Sequence, residues 1–325
     1  MKLVIFTICK DEADTIVELL DRMPKKIQGI STIETLVISD GSRDNTAEIA
    51  RKHEATKVIE GVQQKRLAYR FQQAIDTVLS MGADVAVNID GDLQFAPEDI
   101  PKLLKPIMED GADFVAADRF TDSDTGQKRK PNIMPTGKYL ANRLGAWIVG
   151  NLSGQKFYDV TCGFRAYTKK AMISININST YTYTQESFQV LAVKKMNIVA
   201  VPVSVKYYEG RQSRVVRNFW QFLFGSALNI LRAYRDYAPF RFFGTLGTLL
   251  IIPGVAMSLF TLVYWIREGR LSPYISIGSI GLYLFTMGLI VWALGLVADM
   301  IDRMLNNQEK ILEEAKKQRY SKTTK

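Results

Sequence analysis

Two rhythms of apolar and polar residues divide this chain. Up to about residue 210, short apolar runs alternate with stretches of helical period. Lys2–Cys9 is apolar and β-rich and predicts a strand, whereas Ala13–Met23 repeats Ile16, Leu19, Leu20 and Met23 at helical spacing. Further strands are predicted over Ile33–Ile38, Thr56–Ile59, Asp84–Ile89 and Asp113–Ala116. One helix starts near Asn45 under an Asp44 cap, and another covers Arg66–Leu79. Pro97, with Glu98 and Asp99 behind it, suits the first turn of a further helix. This alternation predicts an α/β fold with an open, mainly parallel sheet, whose ligands bind beyond the carboxyl ends of the strands. No internal repeat or low-complexity segment interrupts it.

Beyond residue 210 the rhythm changes. Phe242–Ile266 and Leu271–Ala298 contain no charged residue, and each exceeds the ~20 residues that a helix needs to cross the hydrocarbon layer. A buried helix of a soluble protein of this length carries a polar face, which neither run has. Two transmembrane helices are therefore predicted, at about 242–266 and 275–298. Pro253 is a candidate kink, and Tyr264, Trp265 and Tyr274 fall where an aromatic belt would. Between Val215 and Tyr237, Trp220, Leu223, Phe224, Ala227, Leu228 and Leu231 recur at helical spacing, with Phe222 off the stripe. The stretch reads as an amphipathic helix in the headgroup region, an ordinary core helix being the alternative. The resulting division is a globular domain over 1–210, a juxtamembrane region over 211–240, two membrane helices within 241–300 and a basic tail over 301–325.

The net charge of +9 sharpens this picture because it is unevenly placed. Residues 1–210 hold 27 Lys+Arg against 26 Asp+Glu, whereas residues 211–325 hold 15 against 7. Arg211, Arg214, Arg217, Arg232, Arg235 and Arg241 precede the first membrane helix, a Lys/Arg-rich tail follows the second, and the link between them is short. The positive-inside rule then puts both termini and the globular domain in the cytoplasm, on a multi-pass protein of the cell membrane. The basic excess faces lipid, so no nucleic acid is expected as a partner; a homo-oligomer through the membrane helices stays open. The N-terminal "MKLVIFTICKDE" is too short for a signal-peptide core and reads as a buried strand. Cys9 and Cys162 lie in no CxxC pattern, and the single histidine, His53, excludes a multi-histidine metal site.

Polar clusters follow three of the strands: Lys10-Asp11-Glu12, Ser39-Asp40-Gly41-Ser42 and Asp90-Gly91-Asp92. No GxGxxG and no GxxxxGK[ST] is present, and Pro101 stands where an EF-hand starting at Asp90 would need its glutamate. Alone, "NIDGDLQFAPE" is equally an acidic surface turn. On a strand-end edge, Asp90-x-Asp92-x-Gln94 can present hard oxygen ligands to Mg²⁺ or Mn²⁺ and leave positions for a diphosphate. Gly91 then reads as room for the donor, while Phe95 and Ala96 have no evident task.

"FTICKDEADTI", "VISDGSRDNTAEIA", "NIDGDLQFAPEDI", "AADRF" and "DVTCGFRAYTKKA" occur in this order. Together they resemble the polyprenyl-phosphate glycosyltransferases of glycosyltransferase family 2, the relatives of dolichyl-phosphate mannose synthase and bactoprenol glucosyltransferase, over residues 1–215. The two-helix end resembles the subgroup with a C-terminal membrane anchor. The resemblance implies a GT-A fold, a nucleotide-sugar donor (UDP- or GDP-linked), Mg²⁺ or Mn²⁺, a polyprenyl-phosphate acceptor and inversion at the anomeric carbon. It implies donor contacts for Thr7, Glu12, Asp40 and Asp90, and metal contacts for Asp90, Asp92 and Gln94. It places Arg119 at the acceptor phosphate, and Asp159, Gly163, Phe164 and Arg165 beside the sugar. Catalytic roles are thus implied for Asp92, Arg119, Asp159 and Arg165, and acceptor contacts for Lys138, Ser213 and Arg214. For Arg119 and Arg165 a fixed bidentate donor suits an anionic phosphate, with an ion pair as the alternative. Asp159 either orients the sugar or supports the Gly163 turn. Lys128-Arg129-Lys130 guides phosphates or is a solvated charge run.

The chain departs from the family at several points. Ser39 stands where an aspartate is usual, Asp11 where an asparagine is, and Arg211 where a glycine is. A processive polysaccharide synthase would show Q-x-x-R-W before its membrane helices, and the chain has no Arg-Trp pair. A family 2 enzyme acting on a hydroxyl-bearing acceptor, and a membrane-anchored binding protein with a decayed site, are the alternatives. The second predicts lost carboxylates, yet Asp40, Asp90 and Asp92 remain.

Overall fold

The structure is a computed structural model, and it describes residues 1–53, 55–122, 125–131, 134, 136–154, 156–177, 183–206, 235 and 238–321. Seven strands form one sheet: β1 (Lys2–Cys9), β2 (Thr32–Ser39), β3 (Lys57–Glu60), β4 (Val85–Asn88), β5 (Phe114–Asp118), β6 (Arg165–Thr168) and β7 (Ile198–Pro202). Their order is β3-β2-β1-β4-β6-β5-β7. Neighbours run parallel except at β6, which is antiparallel to both β4 and β5. The expected strands are present, β1 with the expected bounds and the other four with ends shifted by a residue or two, and β6 and β7 are additional to them.

The helices that flank the sheet are α1 (Ala13–Arg22), α2 (Thr46–Lys52), α3 (Leu67–Ser80), α4 (Ile100–Glu109), α5 (Thr136–Ser153), α6 (Lys169–Ser174) and α7 (Thr184–Val193). Alternation along β1 feeds two cores. Val4 and Phe6 join Phe71, Ala74 and Val78 of α3, with Ala146, Met172 and Phe188 from α5–α7. Leu3 and Ile5 join Ile16 and Leu19 of α1 and Leu103 of α4 on the other face. Pro97 opens a single 3-10 turn, Pro97–Asp99, before α4. Asp44 does not sit at the cap position of α2, which is Asn45. Its carboxylate instead joins two helix starts, accepting from Thr46 N at 3.1 Å and from Ala13 N at 3.0 Å.

Two long helices follow, α8 (Pro239–Glu268) and α9 (Ile275–Ser321); α8, and α9 as far as Leu312, belong to a second compact unit. Both are long and apolar enough to cross a membrane, with mean hydropathy above 2 in their apolar windows. Pro253 lies inside α8 without ending it. The pair meets along glycines at heptad spacing. A Cβ on Gly254 would come within 2.6 Å of Phe285 N and 2.9 Å of Gly281 O, and one on Gly247 within 2.8 Å of Gly288 O. Backbones this close are how helices associate where no hydrophobic effect separates them from lipid. Leu249, Ile252, Leu259, Ile290 and Leu296 point outward, each more than half exposed. Tyr264 and Tyr274 meet edge to face at 4.8 Å beside the connecting turn. The amphipathic stretch expected over Val215–Tyr237 lies outside the described residues, apart from Arg235.

α9 does not end with the apolar run but continues to Ser321, and Glu313 onward belongs to the compact unit that contains the sheet. There Glu313 pairs with Lys194 at 2.5 Å, Lys316 donates to Ile175 O at 2.9 Å, and Tyr320 is buried in the first core. The last turns are thus structural parts of the globular unit.

Two expectations follow. Burial, then the charges of Glu12 and Asp44, push the Cys9 thiol up to about 12, and burial does the same for Cys162. Both thiols stay protonated at pH 8, so a maleimide should label neither in the folded protein and both in denaturant; rapid native labelling would contradict this burial. Second, Gly254→Leu should destabilise the detergent-solubilised protein by about 1–3 kcal/mol through overpacking. Leu249→Ala, on the outer face, should lower the thermal midpoint far less.

Candidate functional site

Strand register builds the site. Cys9 is level with Ser39, and Phe6 is level with Asn88, so β4 stops before β1 does. The chain leaving β4 therefore runs along the end of β1, with Ile89 N donating to Phe6 O at 3.1 Å. Gly91 lands where a Cβ would sit 3.1 Å from Cys9 Cβ and 3.4 Å from Thr7 Oγ1. Close packing against β1 is thus one reason for a glycine there, beside the room expected from the sequence. Thr15 Oγ1 in α1 donates to Gly91 O at 2.8 Å and to Glu12 Oε2 at 3.3 Å. Asp11 Oδ1 accepts from Arg43 N at 2.7 Å, and Glu12 N donates to Thr46 Oγ1 at 3.0 Å. The loops after β1, β2 and β4 are thereby locked to one another.

Asp90 sits at the centre of this edge. Burial, then the charge of Asp92, raises its carboxyl to about 6 against the lowering influence of Arg119 and Arg165, with Glu12 adding to the rise. Gly163 lies directly against it, since a Cβ there would come within 2.8 Å of both carboxylate oxygens. Asn88 Nδ2 holds that turn by donating to Gly163 O at 2.9 Å. Asp92 Oδ1 accepts from Gln94 N at 3.2 Å, an Asx turn that orients the Asp92 carboxylate. Phe95 acquires a task here. It is buried against Phe164 at 5.3 Å and bridges Val205, which anchors the acidic loop to the Gly163 turn.

Asp40 is nearly buried, and its carboxylate is engaged by the protein: Oδ1 accepts from Lys65 N and Arg70 Nε, both at 2.8 Å, and Oδ2 from Arg66 N at 3.1 Å. It holds the 61–66 loop in place, and its carboxylate is spent on the protein. Arg70 escaped the sequence reading. The signal was an arginine on the apolar face of α3 beside Phe71 and Ala74, which demands a buried partner.

Arg119 and Asp159 form a bidentate pair, Nε to Oδ2 at 2.6 Å and Nη2 to Oδ1 at 2.9 Å, with Nη2 also donating to Thr161 Oγ1 at 2.7 Å. Burial would raise the Asp159 carboxyl, but the Arg119 guanidinium and the Thr161 bonds outweigh it and hold it below the usual carboxylate range. Asp159 is therefore a structural partner of Arg119. Arg165 is wholly buried and donates to Cys162 O, Val160 O, Thr184 O and Ser187 Oγ. This corrects its expected contact with a sugar: it braces the 160–165 turn against α7 and reaches the site through its charge alone. Lys138 falls in the first turn of α5, with its side chain outside the described part, and Ser213 and Arg214 lie outside the described residues.

Among the described residues no three His, Cys, Asp or Glu side chains converge as a complete metal cage. What the edge offers is a repelling carboxylate pair, Asp90 and Asp92, and an oxygen-bearing Gln94. That donor set fits a hard divalent cation whose remaining ligands come from a bound anion. The Thr7 hydroxyl, fully buried beside Gly91, has no hydrogen-bond partner among the described residues, which is costly.

Comparison with known proteins addresses the family and the fold. A glycosyltransferase of Haloferax volcanii, AglJ, is 27% identical over 312 residues, covering 95% of this chain and 97% of its own. A dolichyl-phosphate hexose transferase of the same organism is 31% identical over 54% of this chain and 71% of its own. The UDP-N-acetylglucosamine–dolichyl-phosphate N-acetylglucosaminyltransferase of Methanococcus voltae is 26% identical over 61% and 84%. In structure, glucosyl-3-phosphoglycerate synthase of Mycobacterium tuberculosis, solved with Mn²⁺ and UDP, matches with a TM-score of 0.52 at 16% identity, over 73% of this chain and 79% of that one. At that identity the likeness concerns the fold, which is GT-A. The model of "Glycosyl transferase family 2" matches residues 4–175, and the chain belongs to that family.

Proposed function

We propose that this protein transfers a hexose from a nucleoside diphosphate sugar, UDP- or GDP-linked, to the phosphate of a polyprenyl phosphate, with inversion at the anomeric carbon. The observation that carries the reading is the partly buried, mutually repelling pair Asp90 and Asp92 on the strand-end edge. The relatives named for dolichyl phosphate support the acceptor class, and the two helices able to cross a membrane suit a lipid substrate. From the density of Arg and Lys around α8 and α9, both termini face the cytoplasm.

In this reading Thr7, Glu12 and the loop held by Asp40 receive the nucleoside. Mg²⁺ or Mn²⁺, held by Asp90, Asp92 and Gln94, would neutralise charge on the departing diphosphate. Arg119, fixed by Asp159 and Thr161, offers a preset positive charge to the acceptor phosphate. An acceptor oxygen bonds to the sugar C1 as the C1–O bond to the diphosphate breaks, and the nucleoside diphosphate leaves with the electron pair. The attacking oxygen is already anionic, so no side chain has to remove a proton.

Asp92→Asn should cut glycolipid formation by roughly 10²-fold or more, several kcal/mol of lost charge stabilisation. Chelation should abolish turnover, and Mg²⁺ or Mn²⁺ should restore it; full activity in chelator would contradict the metal assignment. Gly163→Ala should displace the Asp90 carboxylate and raise the metal concentration for half-activity about tenfold. An unchanged metal requirement would remove the role given to Gly163.

A further inference from the structure

α9 runs on past its apolar stretch with the wrong face outward. The uncharged run ends at Ala298, and the same helix continues to Ser321. Just beyond that end, Met300, Ile301, Met304, Leu305 and Ile311 are 52–71% exposed, and Leu312 is 39% exposed. Asp302 and Glu309 are the partly buried ones. A helix that meets water on its outer side shows the reverse.

The exposed residues have coiled-coil spacing. Ile301, Met304, Gln308 and Ile311 alternate steps of three and four, the a and d positions of a heptad, and Leu294 and Val297 keep the same register within the apolar run. Asp299, Asp302, Arg303, Glu309 and Lys310, the charged residues over 299–312, all fall at b, c or f. The flanking e and g positions, Met300, Leu305, Asn307 and Leu312, carry no charge, so identical helices meet there without repulsion. The chain's own contacts use the other side of α9. Gly281 and Gly288, against α8, are b positions. Glu313, paired with Lys194, and the buried Tyr320 are f positions.

Lipid does not reach the whole stripe. Ile311 lies thirteen residues beyond Ala298, about 20 Å along the helix, whereas the headgroup region adds only ~6 Å to each side of the hydrocarbon layer. We propose that the stripe is the interface with a second copy of this chain, a parallel coiled coil that carries paired α9 helices out of the membrane. Copies inserted the same way present the stripe at one height and in one direction, so a two-fold axis along the membrane normal sets it against itself. Its side chains from Leu294 to Leu312 offer on the order of 600 Å² per copy, against ~800 Å² per partner of a standard interface. Ile290, one heptad before Val297 and 54% exposed, extends it further. Gln308 is the single polar residue at an a position over this stretch, the kind of residue that fixes register at some cost in stability.

The test uses the full chain in lipid vesicles, with one introduced cysteine and with Cys9 and Cys162 buried. Under copper phenanthroline, Met304→Cys and Ile311→Cys, at d positions, should form disulfide-linked dimers about tenfold faster than Arg303→Cys and Lys310→Cys, their neighbours at c. Equal rates would mark random collision and overturn the proposal. Failure of both d-position cysteines to form dimers would overturn it as well; if they were also shielded from maleimide, the cover would be something other than a second copy. Raising the lipid about tenfold should leave the d-position yield in place, and a fall in proportion to dilution would contradict a standing pair. Adding Met304→Glu to Ile311→Cys should lower the yield about tenfold, since a charge would enter the seam, whereas Met304→Leu should preserve it. An unchanged yield with the glutamate would remove Met304 from the interface. The readout needs no turnover, so failure of the proposed transfer reaction would leave it unaffected.

Discussion

Asp90 is partly buried at the end of β4 within the field of Asp92 and Glu12, and desolvation together with those charges lifts its carboxyl to about 6. Much of the surrounding structure maintains that arrangement. Gly163 lets the carboxylate lie against the backbone, Asn88 holds the Gly163 turn, and Arg165 braces the same turn from inside. Phe95 and Phe164 tie the acidic loop to it. A like-charge pair in a partly desolvated place is costly alone and favourable when a cation and an anionic ligand complete it. The fold stores that demand in a rigid edge built by the parallel alignment of β1, β2 and β4.

The parts of this edge that were legible in the sequence are those that local pattern governs. The apolar runs of β1, β2 and β4 and the acidic clusters after them can be read directly, because strand ends and turn residues are set by neighbours in the chain. β6 was not legible. "RAYT" is short, and its reversed direction depends on pairing with β4 and β5, which are distant in sequence. Arg165 and Asp40 were legible as important but not as inward-facing, because a residue type does not say whether a guanidinium or carboxylate turns to a ligand or to the protein. Arg70 left a clear signal, a charge within an apolar helix face, whose partner only the fold could supply.

The membrane part shows the same division. Length and lack of charge identify α8 and α9, since a bilayer imposes both. The seam between them, with Gly247 and Gly254 against Gly281 and Gly288, was visible as a seven-residue recurrence, but its meaning needed the antiparallel pairing. The docking of Tyr320 into the first core was hidden in a charged tail, where one aromatic residue carries little pattern. The end of the tail and the acidic edge both belong to the globular unit.

The central claim is that the bond broken lies between the sugar and the diphosphate and that the bond formed joins C1 to a lipid phosphate. Purified full-length protein should be given a nucleoside diphosphate sugar labelled with ¹³C at C1, a polyprenyl phosphate and Mg²⁺ or Mn²⁺, and the products followed by ¹³C and ³¹P resonance. The account predicts a lipid phosphodiester at C1 with inverted anomeric configuration and one nucleoside diphosphate released per lipid. Release of a nucleoside monophosphate, retained configuration, or a sugar joined to a hydroxyl instead of the phosphate would contradict it.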